Sequence, residues 1–292
     1  MTTSGRPVHL PFDGRGNRLR MGLRPLDLAD WIEIDEKVQA DLAEKSRLLR
    51  EHHDQVVAVV DDVDGSVRGA AQELLERLLD HLGRDLPAEL GALHPIDAAG
   101  RLTQEDWCLH LPDAEGDWRL VAASVCFPTR WTLTDKIGHT IREIHAPVAL
   151  YPEQLADPMD AYFARMKPDS GVWRLNWNLL DDPTLHQAHH TEPTATEIRA
   201  ITAGEQIWLR VERQTLVKLP VSGAIVFSIR IHQDPLGSLL GDDATLGRLR
   251  STLEGLPPQL IEYKGLAGCH AQILQWIDHS LRDEPEGPHE DA

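Results

Sequence analysis

Residues 206–232 read QIWLRVERQTLVKLPVSGAIVFSIRIH, and the fold turns on how this stretch is read. Ile207, Leu209 and Val211 alternate with Trp208, Arg210 and Glu212, the period-2 pattern of a strand with one buried face. A second run, Ala224 to Ile231, is rich in Ile, Val and Phe and carries Ser228 and Arg230 on one face. Pro220, Ser222 and Gly223 supply a turn between the two runs. The expectation is a long antiparallel hairpin at the middle of a sheet. Arg210, Glu212, Arg213 and Arg230 lie inside strands otherwise suited to burial. A charge removed from water is costly unless it is paired or meets a ligand. Two readings follow: arginines on a solvated face, or a sheet face covering a pocket for something anionic.

Upstream of the hairpin, Gly5, Pro7, Pro11 and Gly14 break up residues 1–25 into an irregular arm. Asp27 or Asp30 can cap a helix over Trp31–Arg50, with Ile34, Val38, Leu42 and Leu49 on its apolar stripe. Gln55–Val60 is short and apolar and fits strand or helix. Ser66–Leu82 predicts an amphipathic helix, with Leu74, Leu75, Leu78, Leu79 and Leu82 inward and Gly83 at its end. After Gly100 the periodicity changes to 2. Trp107–Leu111, a polar turn at Asp113–Asp117 and Trp118–Phe127 then form a second hairpin. Leu155–Met166 predicts a helix, and Val172–Leu179 a strand paired with the long hairpin. Thr245–Leu253 and Cys269–His279 close the chain as helices. Helices first, then strands interleaved with helices, indicate an α+β fold with a mainly antiparallel sheet. One domain spans 26–282, and 283–292 reads as an acidic, disordered tail.

The 292-residue chain has a formal charge of −18, which disfavours nucleic acid and anionic membranes. No apolar run approaches the roughly 20 residues that span a bilayer, and the first residues lack a secretory apolar core. Cys108, Cys126 and Cys269 stand alone without CxxC spacing, consistent with a reducing cytoplasm and against a cysteine-built metal site.

Several short motifs could carry chemistry. Cys126-Phe127-Pro128-Thr129-Arg130-Trp131 sets an arginine beside a tryptophan at a strand end, a plausible pocket rim. In Ile144-His145-Ala146-Pro147-Val148 the Ala-Pro fixes the backbone after His145, as a metal ligand requires; a structural histidine is the alternative. Trp173 and Trp177 flank Arg174 and Asn176 on one predicted strand, which suits a flat ligand. His186, His189 and His190, with Glu192 near, could bind a metal. Pro183 and Pro193 bracket the run, so a polar loop is the reading adopted.

In this order, Cys126–Trp131, Ile144–Val148, Trp173–Trp177 with Asp181-Asp182-Pro183, Leu209–Leu219, Ser222–Arg230 and Tyr263-Lys264-Gly265 resemble the α subunit of haem-dependent oxidative N-demethylases. With the Pro25–Leu49 segment, the resemblance covers most of residues 20–280. It implies a PAS-like sheet holding one b-type haem, with His145 as proximal iron ligand and Arg213 as distal or propionate-side arginine. Arg174 and Arg230 would pair with propionates, Glu212 would move protons or hold a substrate ammonium, and Trp173, Trp177, Arg130 and Tyr263 would line the cofactor. A cross-strand ion pair with Arg210 is the alternative role for Glu212.

The implied reaction is oxidation, with O2 or peroxide, of a C–H bond in a small aliphatic amine. No flavin or iron–sulfur motif is evident, so a reductase or ferredoxin would supply electrons for an oxygen-dependent cycle. Relatives in natural-product pathways imply an alternative, oxidative ring closure on an amino-acid-derived substrate to a nitrocyclopropane. A non-enzymatic PAS-like haem sensor is a second alternative, weakened by the lack of an output module. Where the family continues Pro-Gly-Tyr after Val148, this chain has Ala149-Leu150-Tyr151, so a reshaped loop is expected there.

Overall fold

The structure is a computed structural model describing residues 6–14, 20–188 and 198–282. The predicted hairpin is its centre: strands over Trp208–Lys218 and Ile225–Pro235 pair antiparallel along their whole length. Gly223 takes a left-handed φ of 70° in the turn between them, where a side chain would be strained. Thr215 and Ser228 face each other across the pair and share a 2.7 Å hydroxyl hydrogen bond.

In chain order the strands are β1 (Arg24–Pro25), β2 (Val57–Val59), β3 (Asp106–Pro112), β4 (Trp118–Ser124), β5 (Gly171–Leu180), β6 (Trp208–Lys218) and β7 (Ile225–Pro235). They form one open sheet in the order β1-β5-β6-β7-β3-β4-β2 with every pairing antiparallel. The helices are α1 (Val38–Glu51), α2 (His53–Val56), α3 (Ser66–Leu82), α4 (Pro95–Gly100), α5 (Ile141–His145), α6 (Tyr151–Gln154), α7 (Ala156–Arg165), α8 (Ala203–Gln206), α9 (Asp243–Glu254), α10 (Pro258–Tyr263) and α11 (His270–Ser280). The class is α+β, as the sequence indicates. Among the described residues no helix is long and apolar enough to cross a membrane.

Because side chains alternate along a strand, the register divides β5–β7 into two faces. The front face carries Arg174 and Asn176 opposite Gln214 and Glu212, with Phe227, Ile229 and Ile231 behind them. Ile141, Met159 and Phe163 of α5 and α7 pack on this side against Leu216 and Ile225. The back face carries Trp173, Leu175 and Trp177 opposite Thr215, Arg213 and Val211. Leu74 and Leu78 of α3 meet Trp107, Leu109, Val217 and Val226 there, while α9 and α11 cover Leu179, Leu209 and Val211 through Leu249, Leu253 and Ile273.

Two helical expectations need correction. The helix predicted from Trp31 starts at Val38, after a 3-10 turn at Leu28–Asp30, because Glu33 and Asp35 are drawn into side-chain pairs. Its inward stripe is Asp41, Lys45, Leu48 and Leu49, whereas Ile34 is 66% exposed. Lys45 lies in the core because Asp106 sits 3.3 Å from its ammonium and the Thr103 and Glu105 carbonyls accept from it. Gln55–Val60 turns out to hold both alternatives, the end of α2 and then β2.

Candidate functional site

His145 is the last residue of α5, a five-residue helix that persists because of its cap. Thr140 accepts from the Glu143 N–H at 3.2 Å, and the Glu143 carboxylate accepts from the Thr140 N–H at 2.7 Å. The His145 Nδ1 donates to the Ile141 carbonyl at 2.8 Å. That bond fixes the tautomer and leaves a lone pair on Nε2. Burial pushes the imidazole pKa below its ordinary value, so the ring is neutral at neutral pH. Its flat side stacks on Tyr151, with ring centres 4.7 Å apart and planes at 16°.

The front face brings polar groups towards this histidine. Arg174 leans to its side, its guanidinium pKa lowered by burial, and its Nε has no hydrogen-bond partner. Glu212 is 6% exposed. It accepts from Thr129 Oγ1 at 2.6 Å, Gln214 Nε2 at 2.6 Å and Asn176 Nδ2 at 3.2 Å. All three donors are neutral, and among the described residues no cation lies within ion-pair distance of it. Gln214 and Phe227 remain partly exposed although they sit on the two central strands, as does β5 from Gly171 to Asn178. The centre of the sheet is therefore not fully covered by the helices packed on it.

Arg210 builds the rim. Its guanidinium donates to the carbonyls of Phe127, Leu185 and Thr184, to Gln233 Oε1 and to Thr129 Oγ1, and burial brings its pKa down to about 10. The loops 126–131 and 182–187 are thereby held against the sheet. Asp106 adds to this by accepting from the Cys126 and Phe127 N–H groups at 2.9 and 2.7 Å. Arg130, at a left-handed φ of 58°, pairs with Asp181 at 2.6 Å. His186 donates from Nδ1 to the Cys126 carbonyl at 2.8 Å and so belongs to the same rim. His189, His190 and Glu192 of the suggested metal run lie outside the described residues.

A family model described as haem-dependent oxidative N-demethylase, alpha subunit-like, matches residues 22–90 and 84–274. The chain belongs to this family. Three features of the front face of this N-demethylase-like chain fit a haem. His145 offers a neutral imidazole nitrogen with its lone pair free. Arg174 Nε and the Tyr151 hydroxyl are buried polar atoms lacking partners beside it. Phe227, Leu216 and Ile229 give the sheet side an apolar floor.

The remaining sequence-selected residues fall elsewhere. Arg213 and Arg230 project from the back face, away from His145, and both are consumed by ion pairs. Arg213 Nε sits 3.1 Å from Glu33 while its terminal nitrogens donate to the Trp31 and Asp30 carbonyls. Arg230 pairs with Asp35 at 2.6 Å and Asp41 at 3.3 Å. Trp173 and Trp177 also face back; Trp173 lies under Arg24 and Arg213, Trp177 against Phe12 and Lys264. Tyr263, 45% exposed on the last turn of α10, is the exception: its phenol lies near enough to Glu212 for burial and that carboxylate to raise its pKa. The structure therefore brings together His145, Arg174 and Glu212, with Arg130 on the rim, and separates them from Arg213, Arg230, Trp173 and Trp177. The physical reason is parity: residues 212 and 213 are neighbours in one strand and must point to opposite faces.

Asn176 was noted beside Arg174 on its strand, whereas Gln214, Thr129 and Lys264 were given no role from sequence. For Gln214 a signal exists, since 174, 176, 212 and 214 share the parity of one face. Lys264 stands in the Tyr263-Lys264-Gly265 motif, which does not show what it contacts. Its ammonium donates to the Trp177 carbonyl at 2.6 Å, lies 4.5 Å from that ring's centre, and is pushed down to about 8 by burial.

Leu150 adopts φ 66° and ψ 0°, the left-handed conformation that suits the glycine of the Pro-Gly-Tyr pattern. For a leucine this conformation costs roughly 1–2 kcal/mol, and the turn delivers Tyr151 onto His145.

Proposed function

We propose that this chain binds haem on the front face and oxidises a C–H bond adjacent to nitrogen in a small aliphatic amine. What carries the reading is His145, neutral, tautomerically fixed by Ile141 and bare at Nε2 beside the unpartnered Arg174. His145 Nε2 would hold the haem iron and Arg174 would pair with a propionate. Haem, when bound, supplies the iron that activates oxygen or peroxide. With oxygen, N-dealkylation consumes two electrons and two protons and releases the amine, an aldehyde and water, so a separate redox protein supplies the electrons.

The protein's own contribution is position and charge. Glu212 is an enclosed carboxylate held by three neutral donors, so it can meet a substrate ammonium at the sheet surface. Thr129 and Gln214 fix its two oxygens, which limits where the amine can sit. Dealkylation is the reading that the family description supports.

The test is turnover of short secondary and tertiary amines by the haem-loaded protein with peroxide, or with oxygen and a generic ferredoxin–reductase pair, reading aldehyde release. Glu212→Gln should keep the haem spectrum and raise the amine KM at least tenfold. Unchanged kinetics in Glu212→Gln would remove the carboxylate from substrate binding. Absence of aldehyde from every amine tried, with haem bound, would overturn the dealkylation reading.

A further inference from the structure

The back face holds a cluster that the haem reading does not use. His9 from the N-terminal arm, Glu33 from the segment before α1 and His232 from β7 converge there, with their ligand-capable atoms all within 4.8 Å of one another. Glu33 Oε2 is the shared point, 3.1 Å from His9 Nε2 and 2.9 Å from His232 Nε2. The other oxygen, Oε1, is shared by Arg213 Nε at 3.1 Å and His9 Nε2 at 3.0 Å, so His9 straddles the carboxylate while His232 meets Oε2. The rings meet edge to face with centres 4.8 Å apart, and His9 also rests against Trp173. Phe12 anchors the same arm by its edge-on contact with Trp177.

His232 shows why hydrogen bonds alone serve this cluster poorly. Its Nε2 faces Glu33, and its Nδ1 faces the Asp35 carboxylate at 3.9 Å. A neutral imidazole carries one proton and cannot present N–H to both carboxylates; one nitrogen lone pair would then face an oxygen lone pair. A cation held by Nε2 resolves the conflict, because Nδ1–H is then free to point at Asp35 as an outer-sphere carboxylate.

We propose that His9, Glu33 and His232 form a binding site for a divalent first-row transition ion of the zinc type. Two imidazoles and one carboxylate are a recognised donor set for zinc, with a further position left for water. The three side chains keep 15%, 26% and 8% exposure, so water can reach that position. The site joins the N-terminal arm to β7, and the ion would act as a clasp on the back of the sheet, separate from His145.

The experiment is calorimetric titration of Zn2+ into the full-length, haem-loaded protein after chelator treatment, for the unsubstituted chain, His9→Ala and Glu33→Gln. Expected is one site that raises the thermal midpoint, with affinity at least about tenfold weaker in His9→Ala, as befits loss of a direct ligand. No Zn2+ binding by the unsubstituted protein would overturn the proposal and leave a doubly protonated His232 as the resolution. Equal binding in both variants would overturn it too, placing the zinc elsewhere. X-ray absorption of the zinc-loaded unsubstituted chain gives a readout independent of any variant's folding. Two imidazoles with one carboxylate are expected, and any other ligand set contradicts the assignment.

Discussion

Replacing Arg213 and Arg174 separately by methionine tests the division of the sheet into a structural back face and a binding front face. Arg213 is 4% exposed and makes three polar contacts, to Glu33 and to the Trp31 and Asp30 carbonyls, besides lying over Trp173. Removing it leaves two carbonyls without a donor and weakens the hold on a carboxylate that is only 26% exposed. Breaking a buried pair costs about 3–5 kcal/mol. Since Glu33 keeps both imidazoles as partners, the lower end, about 3 kcal/mol, applies. With a urea dependence of about 3 kcal/mol per M, the unfolding midpoint should fall by roughly 1 M. Arg174 has an unpartnered Nε and a guanidinium disfavoured by burial. Arg174→Met should therefore cost less than about 1 kcal/mol in haem-free protein. Haem titration should reverse the ranking. Loss of a charge-assisted propionate contact, about 1.5–3 kcal/mol, weakens haem affinity by roughly 10- to 100-fold in Arg174→Met, whereas Arg213→Met binds haem as before. The assays are urea unfolding followed by circular dichroism and haem binding followed by the Soret band. Equal destabilisation by the two substitutions, or haem loss confined to Arg213→Met, would refute the reasoning.

Two further outcomes follow from single residues. Burial depresses His110 from 6.5 to about 4, so the unfolded chain binds one more proton between these values. Stability is then lost as pH falls through this window, by roughly 3 kcal/mol from this group. In His110→Leu the urea midpoint should depend less on pH between 6.5 and 4, and an unchanged dependence would show that His110 is not the responsible group. Leu150→Gly relieves the left-handed strain at φ 66° and should leave stability unchanged or raise it by up to about 1 kcal/mol; a thermal melt showing a loss above 1 kcal/mol would mean the Leu150 side chain holds the turn.

The long hairpin was legible because eleven-residue strands with alternating apolar positions admit few other readings. So was α3, whose leucine stripe and terminal Gly83, at φ 61°, mark its extent. The α1 stripe was misread because its core positions include Asp41 and Lys45, and a charge is suited to the interior only through partners far along the chain, here Arg230 and Asp106. The placement of β3–β4 beside β7, with β2 beyond them, depends on long-range pairing that local periodicity does not encode. At the site, the sequence exposes the parity that separates Glu212 from Arg213. Which face meets His145 is settled only by the packing of α5–α7, and Lys264 reaches Trp177 from 87 residues away, with no local pattern to announce it.

The central claim is that His145 Nε2 holds haem iron, and the absorption spectrum of the haem-reconstituted protein tests it most directly. The account predicts a Soret band that shifts on reduction with dithionite and again with carbon monoxide, is lost or displaced in His145→Ala, and is restored there by added imidazole. A His145→Ala spectrum identical to that of the unsubstituted protein in all three states would contradict it.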